Sequence, residues 1–361
     1  MRTSKTGLLR EAGEIARRAF GLDGTVHPLA GEIDSNFRIS GSGECFLLKL
    51  APACRTSVAE LLTACLHHLA TAKLPVSVPT LVPPAPLDCP PGDVPGAAPG
   101  ARLCYPAHPA LVPVSYAGAP HTVCAMTWIE GTLLAEAGAA SPPSLLEELG
   151  AALACVDAAL AGFEHPELER DFAWRMEGAP ETIRRYLPEV ERGAELVAAM
   201  VDRSLARLAP LRRLLPRTVI HGDANGHNVL VRSSPSGVRL AGIIDFGDVQ
   251  SGWRASEVAI AAAYAMMDRS DPVAAACAIA RGYSTVAPLS PEECAATLSL
   301  AALRLCLSVA VQPHQIREDP GNEYLAVSQV PAWRLLRSLA ELEWRTAESR
   351  IREACGRASC L

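Results

Sequence analysis

The chain has no excess of positive charge, no paired-cysteine motif and no apolar run of membrane-spanning length, and each absence narrows what it does. Its net charge of -6 argues against non-specific binding to nucleic acid or to an anionic membrane, both of which attract basic patches. Twelve cysteines are present, yet none form a Cys-x-x-Cys pair. They sit among apolar residues, as at Cys65, Cys155, Cys277 and Cys306, as small hydrophobes in a reducing compartment do. The nine histidines show no metal-ligand spacing, and the adjacent His67 and His68 point apart on a helix. No stretch reaches the roughly 18 apolar residues of a membrane span. Val258 to Met267 is short and bracketed by Glu257 and Asp268, and the run from Leu298 to Val311 is interrupted by Arg304. The first residues do not read as a secretory signal, and Ala358-Ser359-Cys360-Leu361 lacks the cysteine of a prenylation box. The expectation is a cytoplasmic protein that binds neither nucleic acid nor membrane.

What remains is an ordinary globular composition, 49% hydrophobic and 20% charged over 361 residues, with room for two lobes. Leu8 to Phe20 repeats apolar residues at helical spacing and stops at Gly21-Leu22-Asp23-Gly24. Its arginines would suit a mitochondrial transit segment; Glu11 and Glu14 argue against one. Val26 to Leu50 reads as strands, and Gly41-Ser42-Gly43-Glu44 as a hairpin turn. It is not a phosphate loop, because it joins two strands and opens no helix. Ser57 to Ala70 is an amphipathic helix. Residues 74 to 120 are too rich in proline for a central strand; short strands are expected at Val78 to Leu81 and Arg102 to Tyr105, around a Pro-rich insertion at about 83–100. His121 to Trp128 is an apolar strand that ends in the turn Ile129-Glu130-Gly131. Helices follow at Leu145 to Phe163 and over Thr182 to Leu215. Ser290 with Glu293 forms a capping-box pattern. Phe172 and Trp174 read as core anchors, Glu257 as a helix-dipole residue, and Arg304 as a buried cation that wants a carboxylate or phosphate partner. Residues 346–361 have weak core character and read as a tail.

The most informative stretch is Val219-Ile220-His221-Gly222-Asp223-Ala224-Asn225-Gly226-His227-Asn228-Val229-Leu230-Val231, followed by Ala241-Gly242-Ile243-Ile244-Asp245-Phe246-Gly247-Asp248. It reads as strand, polar loop, strand, turn, and a third strand ending in a carboxylate. Phosphoryl transfer to a hydroxyl needs these groups. A carboxylate, Asp223, orients the hydroxyl and accepts its proton, while an amide oxygen and a second carboxylate, Asn228 and Asp245, hold Mg2+ against nucleotide phosphates. Protein kinases carry the same groups on a catalytic loop and an Asp-Phe-Gly turn. Here the loop begins His-Gly-Asp, and no Ala-Pro-Glu or activation segment follows the turn.

This double motif resembles the aminoglycoside phosphotransferase and choline kinase superfamily of small-molecule kinases, and most resembles its hydroxylysine kinase branch. The His165-Pro166 stretch with Phe172-x-Trp174, and Pro331-Ala332-Trp333, are similar to that branch as well. The resemblance implies an α+β, bilobal, protein-kinase-like fold. Residues 1–128 would form a small antiparallel-sheet lobe that binds nucleotide, and 129–345 a larger, mostly helical catalytic lobe, before the tail. It implies that the turn from Leu29 to Asn36 covers the phosphates, with Asn36 part of it, and that Lys49 grips them, positioned by Glu60. The linker around Met126 and Trp128 would read the base of ATP or GTP. Position 224 is alanine where the family usually has leucine, which would loosen packing under the loop. Position 226 is glycine, which would make the loop more mobile. The implied acceptor is 5-hydroxylysine; alternatives are homoserine, choline, ethanolamine or an aminoglycoside, or a non-catalytic binder that kept the fold. A cationic acceptor needs acidic or aromatic partners, for which Asp248, Trp174 and Tyr324 are candidates.

Overall fold

The computed structural model describes residues 5–41, 43–86, 108–137, 141–235, 237–322 and 328–358. Most of the Pro-rich insertion, the strand expected at Arg102 to Tyr105, and Tyr324 lie outside the described residues. The chain forms two compact units, residues 1–71 with 78–129 and residues 72–77 with 130–361. The expected division did not foresee that 72–77 joins the second unit. It does so because Ser77 bridges Gly242 in parallel, donating to Ala241 O and accepting from the Ile243 N–H.

In the first unit, helix α1 (Lys5–Phe20) is followed by β1 (Thr25–Leu29), β2 (Ser35–Ser40), β3 (Cys45–Pro52), α2 (Thr56–Leu69), β4 (Val112–Tyr116) and β5 (Ala119–Thr127). The strands form an antiparallel sheet in the order β1-β2-β3-β5-β4. Period-two alternation buries Phe37 and Ile39 on β2 and Leu48 and Leu50 on β3, where they meet Ala12, Ala16, Ala19 and Phe20 of α1. The β1–β2 turn is tight. A Cβ on Gly31 would lie 2.7 Å from Asn36 Nδ2 and 2.9 Å from Asp34 O, so only glycine fits. Val78 to Leu81 is no strand: only Leu81 bridges, to Met126. Pro79 lies inside the segment and Pro83 follows it, and proline removes ladder donors.

The second unit contains β6 (Thr132–Leu133), α3 (Leu134–Ala137), α4 (Pro143–Ala159), α5 (Ala179–Tyr186), α6 (Ala194–Leu208), β7 (Arg217–Ile220), β8 (Val229–Ser234), β9 (Gly237–Ile243), β10 (Gln250–Trp253), α7 (Arg254–Ala265), α8 (Pro272–Val286), α9 (Pro291–Glu318), α10 (Gln329–Glu341) and α11 (Trp344–Ala358). The helical stretch expected at Thr182 to Leu215 breaks in two: α5 ends at Tyr186, before Pro188, and α6 begins after Gly193, which takes the left-handed conformation, φ 85. The capping box forms: Ser290 Oγ accepts from the Glu293 N–H at 3.2 Å, and Glu293 Oε2 accepts from the Ser290 N–H at 2.9 Å. The expectation that no stretch is long and apolar enough to span a membrane is corrected for helix α9, which has that length and apolarity, but 94% of its apolar window is buried inside the protein, as in a core helix. The tail reading of 346–361 is corrected for residues up to 358. They continue α11, whose charged face hid an apolar stripe of Trp344, Ala347, Ile351 and Cys355, all buried.

Candidate active site

Strands β7 and β8 flank the loop His221–Asn228, and β9 delivers Asp245 beside it. Gly222 is required twice over. Its φ is 79, and a Cβ there would lie 2.6 Å from Gln250 Nε2 and 2.8 Å from Asp248 O. The Gly222 N–H donates to Glu257 Oε2 at 2.9 Å. Glu257 is fully buried, and burial raises its pKa against the lowering effects of His221 and the loop N–H groups. The sequence shows only its helix-dipole position, and nothing local signals a loop partner this far away. His221 Nδ1 accepts from the Asp223 N–H at 3.2 Å, so Nε2 carries the proton and donates to Ile244 O at 3.0 Å. This ties the loop to the end of β9.

Three donors converge on the Asp223 carboxylate. Asn225 Nδ2 and Asn228 Nδ2 donate to Oδ2 at 2.8 and 2.7 Å, and Arg304 Nη2 donates to Oδ1 at 2.5 Å. Arg304 is 3% exposed. Its guanidinium carbon lies 4.6 Å from the centroid of the Trp174 ring and 5.7 Å from that of Tyr264, and Nε donates to the Tyr264 hydroxyl at 3.3 Å. Trp174 therefore supports the site from below Arg304. The sequence asked for a carboxylate partner for Arg304 but did not find it in Asp223.

Asn228 also donates to Asp223 O at 2.9 Å. With its amide nitrogen spent on Asp223, its carbonyl oxygen is the end left for an ion. The Ile244 N–H donates to Asn228 O at 2.9 Å, which places Asp245 next to Asn228. Asp245 sits in the left-handed region, φ 58 and ψ 74, where its Oδ1 accepts from the Gly247 N–H. Such backbone costs about 1–3 kcal/mol in a non-glycine residue and recurs where a side chain must be aimed. An amide oxygen beside a carboxylate is a hard-oxygen donor pair that fits Mg2+, an ion that takes few protein ligands and completes its shell with phosphate and water.

Asp248 follows on the same turn. Burial, then the charges of Asp223 and Asp245, push its carboxyl up to about 7, against the lowering effect of Arg304 and Arg170. Arg170, on the stretch after His165-Pro166, holds this turn by donating to Val249 O at 2.7 Å and Gly247 O at 2.9 Å. Its guanidinium stacks on Phe172 at 4.2 Å. Sequence reading assigned Arg170 no role.

A cavity of about 180 Å³ borders the loop, lined by Ala224, Gly226, His227, Tyr264, Met267 and Arg269 among others. Ala224, 2% exposed, forms part of its wall. Gly226, expected to make the loop more mobile, packs closely against α3. Its carbonyl accepts from the Ala135 N–H at 2.9 Å, and a Cβ there would lie 3.0 Å from that nitrogen. Glycine here permits close packing.

In the first unit, Lys49 Nζ lies 3.2 Å from Asp34 Oδ2, and Arg55 Nε lies 3.2 Å from Asp34 Oδ1. Asp34 is thus a partner of Lys49 that the sequence did not reveal. Asn36 stands opposite Lys49 in register. Glu60 lies half-buried on α2. Met126 is 3% exposed within β5. The N–H groups of Thr127 and Trp128 donate to Thr80 O and Cys45 O at 2.9 and 3.0 Å. The Trp128 ring carries the Arg38 guanidinium at 4.7 Å.

A hydroxylysine kinase of Danio rerio is 26% identical over 91% of this chain and 90% of its own length. That of Bos taurus is 29% identical over 62% of each chain, so this match spans less than two thirds of that relative. Among solved structures, a microcompartment-associated aminopropanol kinase superposes with a TM-score of 0.61 at 18% identity, covering 91% of this chain and 98% of that one. An amicoumacin kinase in complex with AMP-PNP and Ca2+ gives 0.63 at 14% identity, covering 96% and 97%. These likenesses establish the protein-kinase-like fold. A sequence model of the phosphotransferase enzyme family (APH) matches residues 25–294, most of the chain, and the chain belongs to that family.

Proposed function

We propose that this protein transfers the γ-phosphoryl group of ATP or GTP to the hydroxyl of a small amino acid or amine, 5-hydroxylysine first among them. The observation that carries this reading is the fixed Asp223 carboxylate with Asn228 and Asp245 adjacent on one hairpin. Asp223 accepts the proton of the acceptor hydroxyl. The acceptor oxygen bonds to the γ-phosphorus as the bond to the bridging oxygen breaks, and a nucleoside diphosphate leaves. Asn228 and Asp245 would hold Mg2+, which neutralises charge on the phosphate oxygens. Lys49 would exchange Asp34 for nucleotide phosphate. The hydroxylysine kinase and aminopropanol kinase relatives support the same acceptor class.

The test is Mg2+-dependent nucleotide consumption by the purified chain, with ATP and GTP each offered 5-hydroxylysine, homoserine, choline, ethanolamine and an aminoglycoside. Turnover with 5-hydroxylysine is expected, falling about 10²–10⁴-fold in Asp223→Asn. Turnover confined to another acceptor would keep the chemistry and replace the substrate. Nucleotide binding with no turnover of any acceptor would sink the reading.

A further inference from the structure

Arg304 is an uneconomical residue for a core helix. It lies on α9 among neighbours that are almost all apolar and buried, and it is itself 3% exposed. Its Nη2 reaches Asp223, but its Nη1 is buried with no hydrogen-bond partner among the described residues. A buried ion pair tends to lose to a well-packed apolar replacement, and an unsatisfied buried donor costs about 1–3 kcal/mol more. Stability alone therefore does not explain this guanidinium.

We propose that Arg304 is a positioning residue for the transfer, fixing the Asp223 carboxylate in the orientation in which it receives the acceptor's proton. This rests on the phosphotransfer reading above. Asn225 and Asn228 both grip Oδ2, but they share the loop with Asp223 and move with it. Arg304 grips Oδ1 from α9, and it is wedged between Trp174 and Tyr264. It ties the carboxylate to the core of the second unit. A cation beside a carboxylate weakens it as a base. Phosphoryl transfer through a loose transition state asks for orientation more than for proton affinity, so the exchange favours the reaction.

The experiment compares wild type, Arg304→Ala and Arg304→Lys, as full chains, on whichever acceptor of the panel the wild type turns over. Arg304→Ala is expected to lose about 10²-fold in kcat, the scale of a misplaced reacting group. Its acceptor KM should stay within about threefold and its nucleotide Kd unchanged, as expected when only transition-state geometry is lost. Arg304→Lys should recover part of the rate. Guanidinium ion at about 20 mM, filling the space between Trp174 and Tyr264, should restore about tenfold to Arg304→Ala but nothing to Asp223→Asn. A loss carried by KM with kcat preserved would overturn the proposal in favour of acceptor binding. A loss of thermal stability and nucleotide binding together, without guanidinium rescue, would overturn it in favour of a structural role. If Arg304→Ala does not fold, Arg304→Lys decides, since full kcat in that variant overturns the proposal and a reduced kcat at unchanged KM supports it. Absence of wild-type turnover would instead remove the reading on which the proposal rests.

Discussion

Asp248 shows how the candidate site sets the properties of a single residue. It stands on the turn after Asp245 with its side chain 27% exposed, and its carboxyl is raised from 3.8 to about 7. A carboxyl raised on folding keeps its proton in the folded state while the unfolded chain has lost it. Its contribution to stability is therefore harmless below about pH 4, declines between pH 4 and 7, and is fully unfavourable above pH 7. Asp248→Asn removes that penalty. In metal-free buffer the variant should match wild type near pH 4 and exceed it by about 2 kcal/mol at pH 8, a figure discounted for partial exposure. Urea unfolding at a series of pH values measures this; a difference that does not grow with pH would show that Asp248 is not the titrating group. The residues proposed to supply the chemistry were legible because loop and turn lie close in sequence. Their supports were not. Glu257, Arg170 and Arg304 reach the loop or its following turn from distant segments, and Asp34 reaches Lys49 across a turn whose register no local pattern announces.

At the scale of elements, the hairpin β2–β3, the capped start of α9 and the strand β5 followed directly from alternation, turn residues and capping chemistry. Helix contacts did not. Helices α4 and α8 cross so closely that a Cβ on Gly282 would lie 1.9 Å from Glu147 O, and one on Gly150 would lie 2.1 Å from Ile279 O. Glycine in a helix interior lowers helix propensity, and here it serves the crossing. The same pair of helices is joined by the Tyr283 hydroxyl, which donates to Asp157 Oδ2 at 2.6 Å. Gly282→Ala should gain helix propensity yet destabilise the protein by about 3 kcal/mol, because backbone on the facing helix must move. Chemical denaturation reads the sign, and a stabilised variant would mean that the crossing relaxes freely.

For the molecule as a whole, the end of the chain is the clearest difference between sequence pattern and structure. Charged residues dominate 344–358, so the stretch scores as a tail, yet α11 buries one narrow stripe. Trp344 is fully buried and donates from Nε1 to Leu339 O at 2.8 Å, with the Arg203 guanidinium 4.3 Å above its ring. Arg207 reaches across from α6 to grip Glu348 at 2.6 and 2.5 Å. Helix α11 packs on both α8 and α9, and α9 is the helix that carries Arg304 to Asp223. Helix α11 is therefore part of the frame of the candidate catalytic hairpin, not an appendage. Trp344→Ala should cost about 3–5 kcal/mol, the usual loss for a large buried aromatic ring. A chain ending at residue 343 should lose both stability and turnover, because one flank of α9 is uncovered. Arg345→Ala, at an exposed position on the same helix, should change stability by less than about 0.5 kcal/mol. If the chain ending at 343 unfolds at the same urea concentration as wild type and keeps its activity, α11 has no part in holding the site. A shifted midpoint with lost turnover would place the stability of the catalytic hairpin partly in the final helix, far from it in sequence.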